Sequence, residues 1–131
     1  MISKTGMHAV TALAALAALP PGAYAGAAEI AAGTGAPPNY LGKLLKTLAD
    51  AGLVQSQKGK GGGFRLARNP AAISVFQAVD PIEHLSRWSG CFLGRARCSP
   101  KHPCPVHQHW QRVRDRYLKF LQETTIADLA R

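Results

Sequence analysis

"PPNYLGKLLKTLADAGLVQSQKGKGGGFRLARNP", Pro37 to Pro70, changes period halfway along. In its first half Leu41, Leu44, Leu45 and Leu48 recur at i, i+3, i+4 and i+7, the apolar stripe of a helix with one face in a core. Pro38 suits the opening of that helix, because an early helical position needs no amide hydrogen. Asn39, Lys43 and Lys46 fall off the stripe, and Gly52 supplies a stop. In the second half Leu53–Gln57 and Phe64–Leu66 read as two short strands. A glycine-lysine run joins them as a hairpin.

The glycine run invites comparison with phosphate-binding loops of enzymes, and it fails both tests. A P-loop needs G-x-x-x-x-G-K-[ST] between a strand and a helix, whereas here Gly63 is followed by Phe64 and the run lies between strands. The dinucleotide fingerprint fails because Phe64 stands where a third glycine belongs. A helix, a turn, a leucine-striped helix and then a basic hairpin is instead the order of a winged helix-turn-helix. The outward face of the striped helix then enters a major groove, with Asn39, Tyr40, Lys43 and Lys46 as the contacting residues. The hairpin is the wing, and Lys58, Lys60 and Arg65 set its charge beside phosphates or in the minor groove. The whole chain agrees: 16 lysines and arginines against seven acidic residues leave a net charge of +9 on 131 residues, a surplus that attracts polyanions.

Around this centre the chain falls into three parts. Residues 1–83 read as the DNA-binding domain, 84–104 as a cysteine-rich loop, and 105–131 as a dimerisation helix with a C-terminal tail. The expected class is therefore mainly α with a small β-hairpin. Ser3 to Leu19 is expected to be the first helix, capped by Ser3, with Leu13, Leu16 and Leu19 near helical spacing among alanines. The same stretch, Lys4 followed by "AVTALAALAAL" and "AYA", also has the form of an export leader. The cap and the leucine spacing favour a buried helix, and the run is too short to span a bilayer. A cytoplasmic protein with no membrane partner is expected. Ala27–Ala32 is a short second helix, and "NPAAISVFQAVDPIE" a fourth, ending near Asp80–Pro81.

Three cysteines, Cys91, Cys98 and Cys104, lie within one short segment. An odd, clustered set is a poor disulfide framework and a better metal site. With His107 the spacing is C-x6-C-x5-C-x2-H, four donors that suit zinc or an iron–sulfur cluster. Arg95, Arg97 and Lys101 offset the charge of the thiolates. The gaps are wider than the tight knuckle of structural zinc sites, which favours the cluster and keeps zinc as the alternative. No C-x2-C pair supports a thiol oxidoreductase, so an enzyme is not expected.

From Val106 onward, Val106, Trp110, Val113, Tyr117, Phe120 and Leu121 repeat at steps of four and three, the seam of a paired helix. The seam predicts a two-fold homodimer, whose two recognition helices would select a near-palindromic site on double-stranded DNA.

The chain resembles the winged-helix family of iron–sulfur and redox-responsive transcription regulators, the IscR/NsrR-like proteins. The resemblance rests on "GMHAVTALAALA" near the start, on the Pro37–Pro70 stretch, and on the cysteine loop followed by "CPVHQHWQRVRDRYLKFLQETTIADL". It implies a dimeric transcription factor, usually a repressor, with a [2Fe–2S] cluster held by Cys91, Cys98, Cys104 and His107. Where nitric-oxide-sensing members draw an acidic ligand from the partner's first helix, this chain has Met7. At two DNA-reading places of the cluster-regulator type it has Gly42 and Lys58.

Overall fold

The computed structural model describes residues 2–85, 92–93, 101 and 104–130. Six α-helices, a 3₁₀ turn and a two-stranded hairpin follow one another among them: α1 (Lys4–Ala17), α2 (Ala27–Thr34), α3 (Pro38–Asp50), β1 (Val54–Gln57), β2 (Gly63–Leu66), the 3₁₀ turn Pro70–Ala72, α4 (Val75–Glu83), α5 (His107–Glu123) and α6 (Ile126–Leu129).

Each boundary has a local cause. Ser3 caps α1, its hydroxyl accepting from the Gly6 amide at 3.1 Å, so one of the orphan donors of the first turn is satisfied. Ala9, Ala12, Leu13 and Leu16 line the buried face of α1. Small alanines there let α2, α3 and α4 approach closely. Helix α3 opens on Pro38 and buries Leu41, Leu44, Leu45 and Leu48, as the periodicity predicts. It closes in a Schellman motif: the Gly52 amide donates to Ala49 and the Leu53 amide to Leu48, at 2.9 and 3.0 Å. Gly52 takes φ +80°, where a side chain would be strained.

That turn delivers the chain straight into the hairpin, paired antiparallel with Val54 opposite Leu66 and Gln55 opposite Arg65. The hairpin is not left hanging. The amide of Ala25, just before α2, donates to the Phe64 carbonyl at 2.9 Å, and the Phe64 amide returns to Ala25 at 2.7 Å. The approach is so tight that a Cβ on Gly63 would lie 2.5 Å from the Ala25 carbonyl oxygen.

Two boundaries differ from expectation. Helix α4 runs to Glu83 rather than ending near Pro81. Proline removes one amide donor, but the Ser74–Gln77 capping box fixes the start, and the His84 amide still closes on Asp80 at 2.9 Å. The second is the C-terminal segment, expected as a tail. Thr125 and Asp128 form a capping box that starts α6, and Ile126 is fully buried in the core shared with α1 and α3. The Ile126 amide donates to Ile73 at 2.9 Å and the Val75 amide to Thr124 at 2.8 Å, so the chain end is stitched to the entry of α4. A second cluster, Val75, Val79, Leu85 and Leu121, fastens α5 to α4.

Because α6 contributes a core side chain, Ile126→Ala should destabilise the fold by about 2–5 kcal/mol. Urea unfolding followed by far-UV circular dichroism checks this; an unchanged midpoint would mean that the end of the chain is not docked.

Candidate nucleic-acid interface and cysteine loop

Burying one side of α3 determines what its other side can do. Asn39, Lys43 and Lys46 are exposed opposite the leucines. Tyr40 is half-buried, and the His8 ring of α1 meets it edge-on, with centroids 5.7 Å apart. The outward face of α3 thus consists of one amide and two ammonium groups beside a tyrosine in contact with α1. Lys58 and Lys60 are exposed at the hairpin tip. Among the described residues no ion pair neutralises Lys43, Lys46, Lys58 or Lys60. Uncompensated cations on a helix face and an adjacent hairpin attract the phosphates of a duplex.

Arg65 is placed differently. It lies at the base of the wing, half-buried, with its guanidinium 4.7 Å from the centroid of the Tyr24 ring and its Nε donating to Gln55 Oε1 at 3.0 Å. The strand register explains the second contact, since Gln55 and Arg65 are directly opposed on one face. The first depends on Tyr24 being carried alongside by the Ala25–Phe64 pairing. Sequence reasoning singled out neither Tyr24 nor Gln55. The only signal for Gln55 is its hairpin register; for Tyr24 there is none short of the fold.

The cysteine loop is described in part. Cys104 is buried immediately before α5, and the His107 amide donates to its carbonyl at 3.0 Å. The His107 Nε2 atom is buried as well. Cys104, Pro105, His107, Gln108 and His109 line a cavity of about 290 Å³. A thiol and an imidazole three residues apart at a helix start are soft and borderline donors fit for zinc or an iron–sulfur cluster. They are two of the four donors that the sequence spacing suggests. Cys91 and Cys98 lie outside the described residues, and among the described residues no group of three or more metal-binding side chains gathers. The phenyl ring of Phe92, next in the chain after Cys91, lies 5.3 Å from the Trp110 ring on α5.

The apolar seam of α5 divides in two. Leu121 turns inward against α4, with Tyr117 and Leu118 packed beside it. Val106, Val113 and Phe120, seven residues apart, remain exposed at 37%, 60% and 56%. Among the described residues, no helix is long and apolar enough to cross a membrane.

Comparison with known proteins is consistent along the whole chain. Residues 2–131 match the model of the Rrf2 family, described as an iron-dependent transcriptional regulator. A putative HTH-type transcriptional regulator of Aquifex aeolicus is 33% identical over 98% of this chain and 90% of its own length. The HTH-type transcriptional regulator IscR of Vibrio atlanticus is 30% identical over 98% of this chain and 73% of its own. Among solved structures, CymR, the global cysteine regulator of B. subtilis, superposes with a TM-score of 0.81 at 27% identity, covering 99% of this chain and 95% of that one. T. potens IscR gives 0.77 at 29% identity, covering 98% and 85%. With a cationic winged helix and relatives that are regulators rather than enzymes, the chain belongs to the Rrf2 family of DNA-binding transcriptional regulators.

Proposed function

We propose that this regulator acts in the cytoplasm as a two-fold homodimer, a repressor on a near-palindromic operator, with its grip on DNA modulated by a [2Fe–2S] cluster held by Cys91, Cys98, Cys104 and His107. The observation that carries the reading is the position of Cys104 and His107. Cys104 and the His107 Nε2 atom are buried at the start of the helix whose far side is an exposed apolar stripe. Ordering or releasing the cysteine loop therefore acts on the first turn of the dimerisation helix. Through Leu121 that helix is packed on α4 and so on the DNA-binding part. Bound there, the cluster would supply a redox-sensitive centre whose gain or loss changes the loop. Sensing requires that the two states differ in affinity for DNA.

The dimer assignment is supported by the spacing of Val106, Val113 and Phe120. An antiparallel pair centred on Val113 sets Val106 of one copy against Phe120 of the other and covers all three exposed side chains. On the DNA side, Asn39, Tyr40, Lys43 and Lys46 would face base edges and phosphates from the groove, while Lys58, Lys60 and Arg65 would act from the wing. Residues 1–83 then form the reading head, 84–104 the sensing loop, and 105–131 the dimer element with its end folded back on the head.

Three measurements follow. Val113→Cys should give a disulfide-linked dimer on mild oxidation, visible on a non-reducing gel; a chain that stays monomeric under these conditions contradicts the antiparallel register. Lys58→Ala and Lys60→Ala should each weaken operator binding and reduce the slope of log affinity against log salt by about one. Anaerobically purified protein should absorb visible light and contain iron and sulfide, and Cys104→Ser should abolish both while the far-UV spectrum stays helical. A colourless protein containing zinc would replace the sensor with a structural metal site, and equal operator affinity with and without cluster would remove the sensing role.

A further inference from the structure

The wing bears two kinds of cation. Lys58 and Lys60 stand at a glycine-rich tip, where each flexible side chain must give up rotamer freedom on binding. Arg65 is already held. Phe64 and Leu66 on either side of it in β2 pack against the core, so the alternation of the strand turns Arg65 to the other face. There Gln55 takes the Nε hydrogen at 3.0 Å, and Tyr24 covers the guanidinium at 4.7 Å. The clasp is anchored in backbone: Gln55 by strand pairing, Tyr24 by the two hydrogen bonds between its neighbour Ala25 and Phe64. A guanidinium has five N–H donors in a planar fork. Among the described residues none accepts from the Nη1 or Nη2 atoms of Arg65, so the outer prongs are oriented and unspent.

From this we infer that Tyr24 and Gln55 are positioning residues of the DNA-binding surface, holding the Arg65 fork for a phosphate of the duplex. The inference rests on the reading of the hairpin as a DNA-contacting wing. A phosphate accepts two parallel N–H bonds from such a fork, a match that lysine cannot make. Fixing the fork in advance lowers the ordering cost at the moment of binding. Arg65 thereby differs from the tip lysines, which act as mobile point charges.

The test is a double-mutant cycle read by fluorescence anisotropy with a duplex carrying the selected operator, at several salt concentrations. Arg65→Ala should weaken binding and reduce the salt slope by about one. Tyr24→Ala and Gln55→Ala should each weaken binding about two- to fivefold, the scale set by an exposed cation–π contact, while leaving the slope in place. In the Arg65→Ala background neither should cost anything further. Tyr24→Phe should restore the affinity lost in Tyr24→Ala, because the ring face is retained. Melting temperatures confirm that each variant is folded. An unchanged salt slope for Arg65→Ala, or losses that simply add, overturns the positioning role while leaving the wing assignment intact. Wild-type protein without salt-dependent duplex binding overturns the wing assignment and the positioning role with it.

Discussion

Burial of four leucines on one side of α3 is the constraint from which the architecture follows. Leu41, Leu44, Leu45 and Leu48 are all removed from water, Leu44 retaining 6% exposure and the others none. At about 25 cal/mol per Å² of apolar surface, that stripe is a large share of what so small a domain has available to offset chain entropy. It fixes the roll of α3 about its own axis. Once the leucines face inward, Asn39, Lys43 and Lys46 have no choice but to face solvent. The Schellman turn at Gly52 then sets the angle at which the hairpin leaves, so the helix and the wing are presented as one surface.

The same core is closed by the last residues of the chain. Ile126 enters between α1 and the 3₁₀ turn, and Leu121 enters between α5 and α4. Helix α5 is thus tied at its C-terminal end to the DNA-binding core, while Cys104 and His107 sit at its N-terminal end. The N-terminus joins this arrangement: the Ser3 amide donates to the Glu83 carboxylate at the end of α4, and the Ile2 amide to the Tyr117 hydroxyl of α5 at 3.2 Å. The start of α1 is therefore tied to both α4 and α5.

The cationic surface combines rigid and mobile parts. Tyr40 is pinned by His8, and Arg65 by Tyr24 and Gln55, whereas Lys43, Lys46, Lys58 and Lys60 extend into water. Mobile lysines draw a duplex in from a distance and tolerate sequence variation. Held side chains lose less freedom on docking and constrain register.

Much of this was legible in sequence because it is periodic or local. The leucine stripe of α3, the Ser3 cap, the Pro38 start, the Gly52 stop and the basic hairpin each depend on residues within a few positions of one another, and all stand where their spacing predicts. The capping box at Thr125 and Asp128 was equally local and marks α6, but its short apolar content gave no hint that Ile126 is core. The Pro81 boundary misled because one missing amide does not end a helix that is otherwise anchored. By itself, then, the sequence determined the order of helices and hairpin, the outward set of cations and the candidate thiolate and imidazole donors, since short-range spacing dictates these. Tertiary structure alone decided that α5 splits its apolar seam between its own core and solvent, that the chain end returns to α1, and that Tyr24 lies against Arg65, 41 positions along the chain. Such contacts join segments far apart in sequence, and only packing the core brings them together.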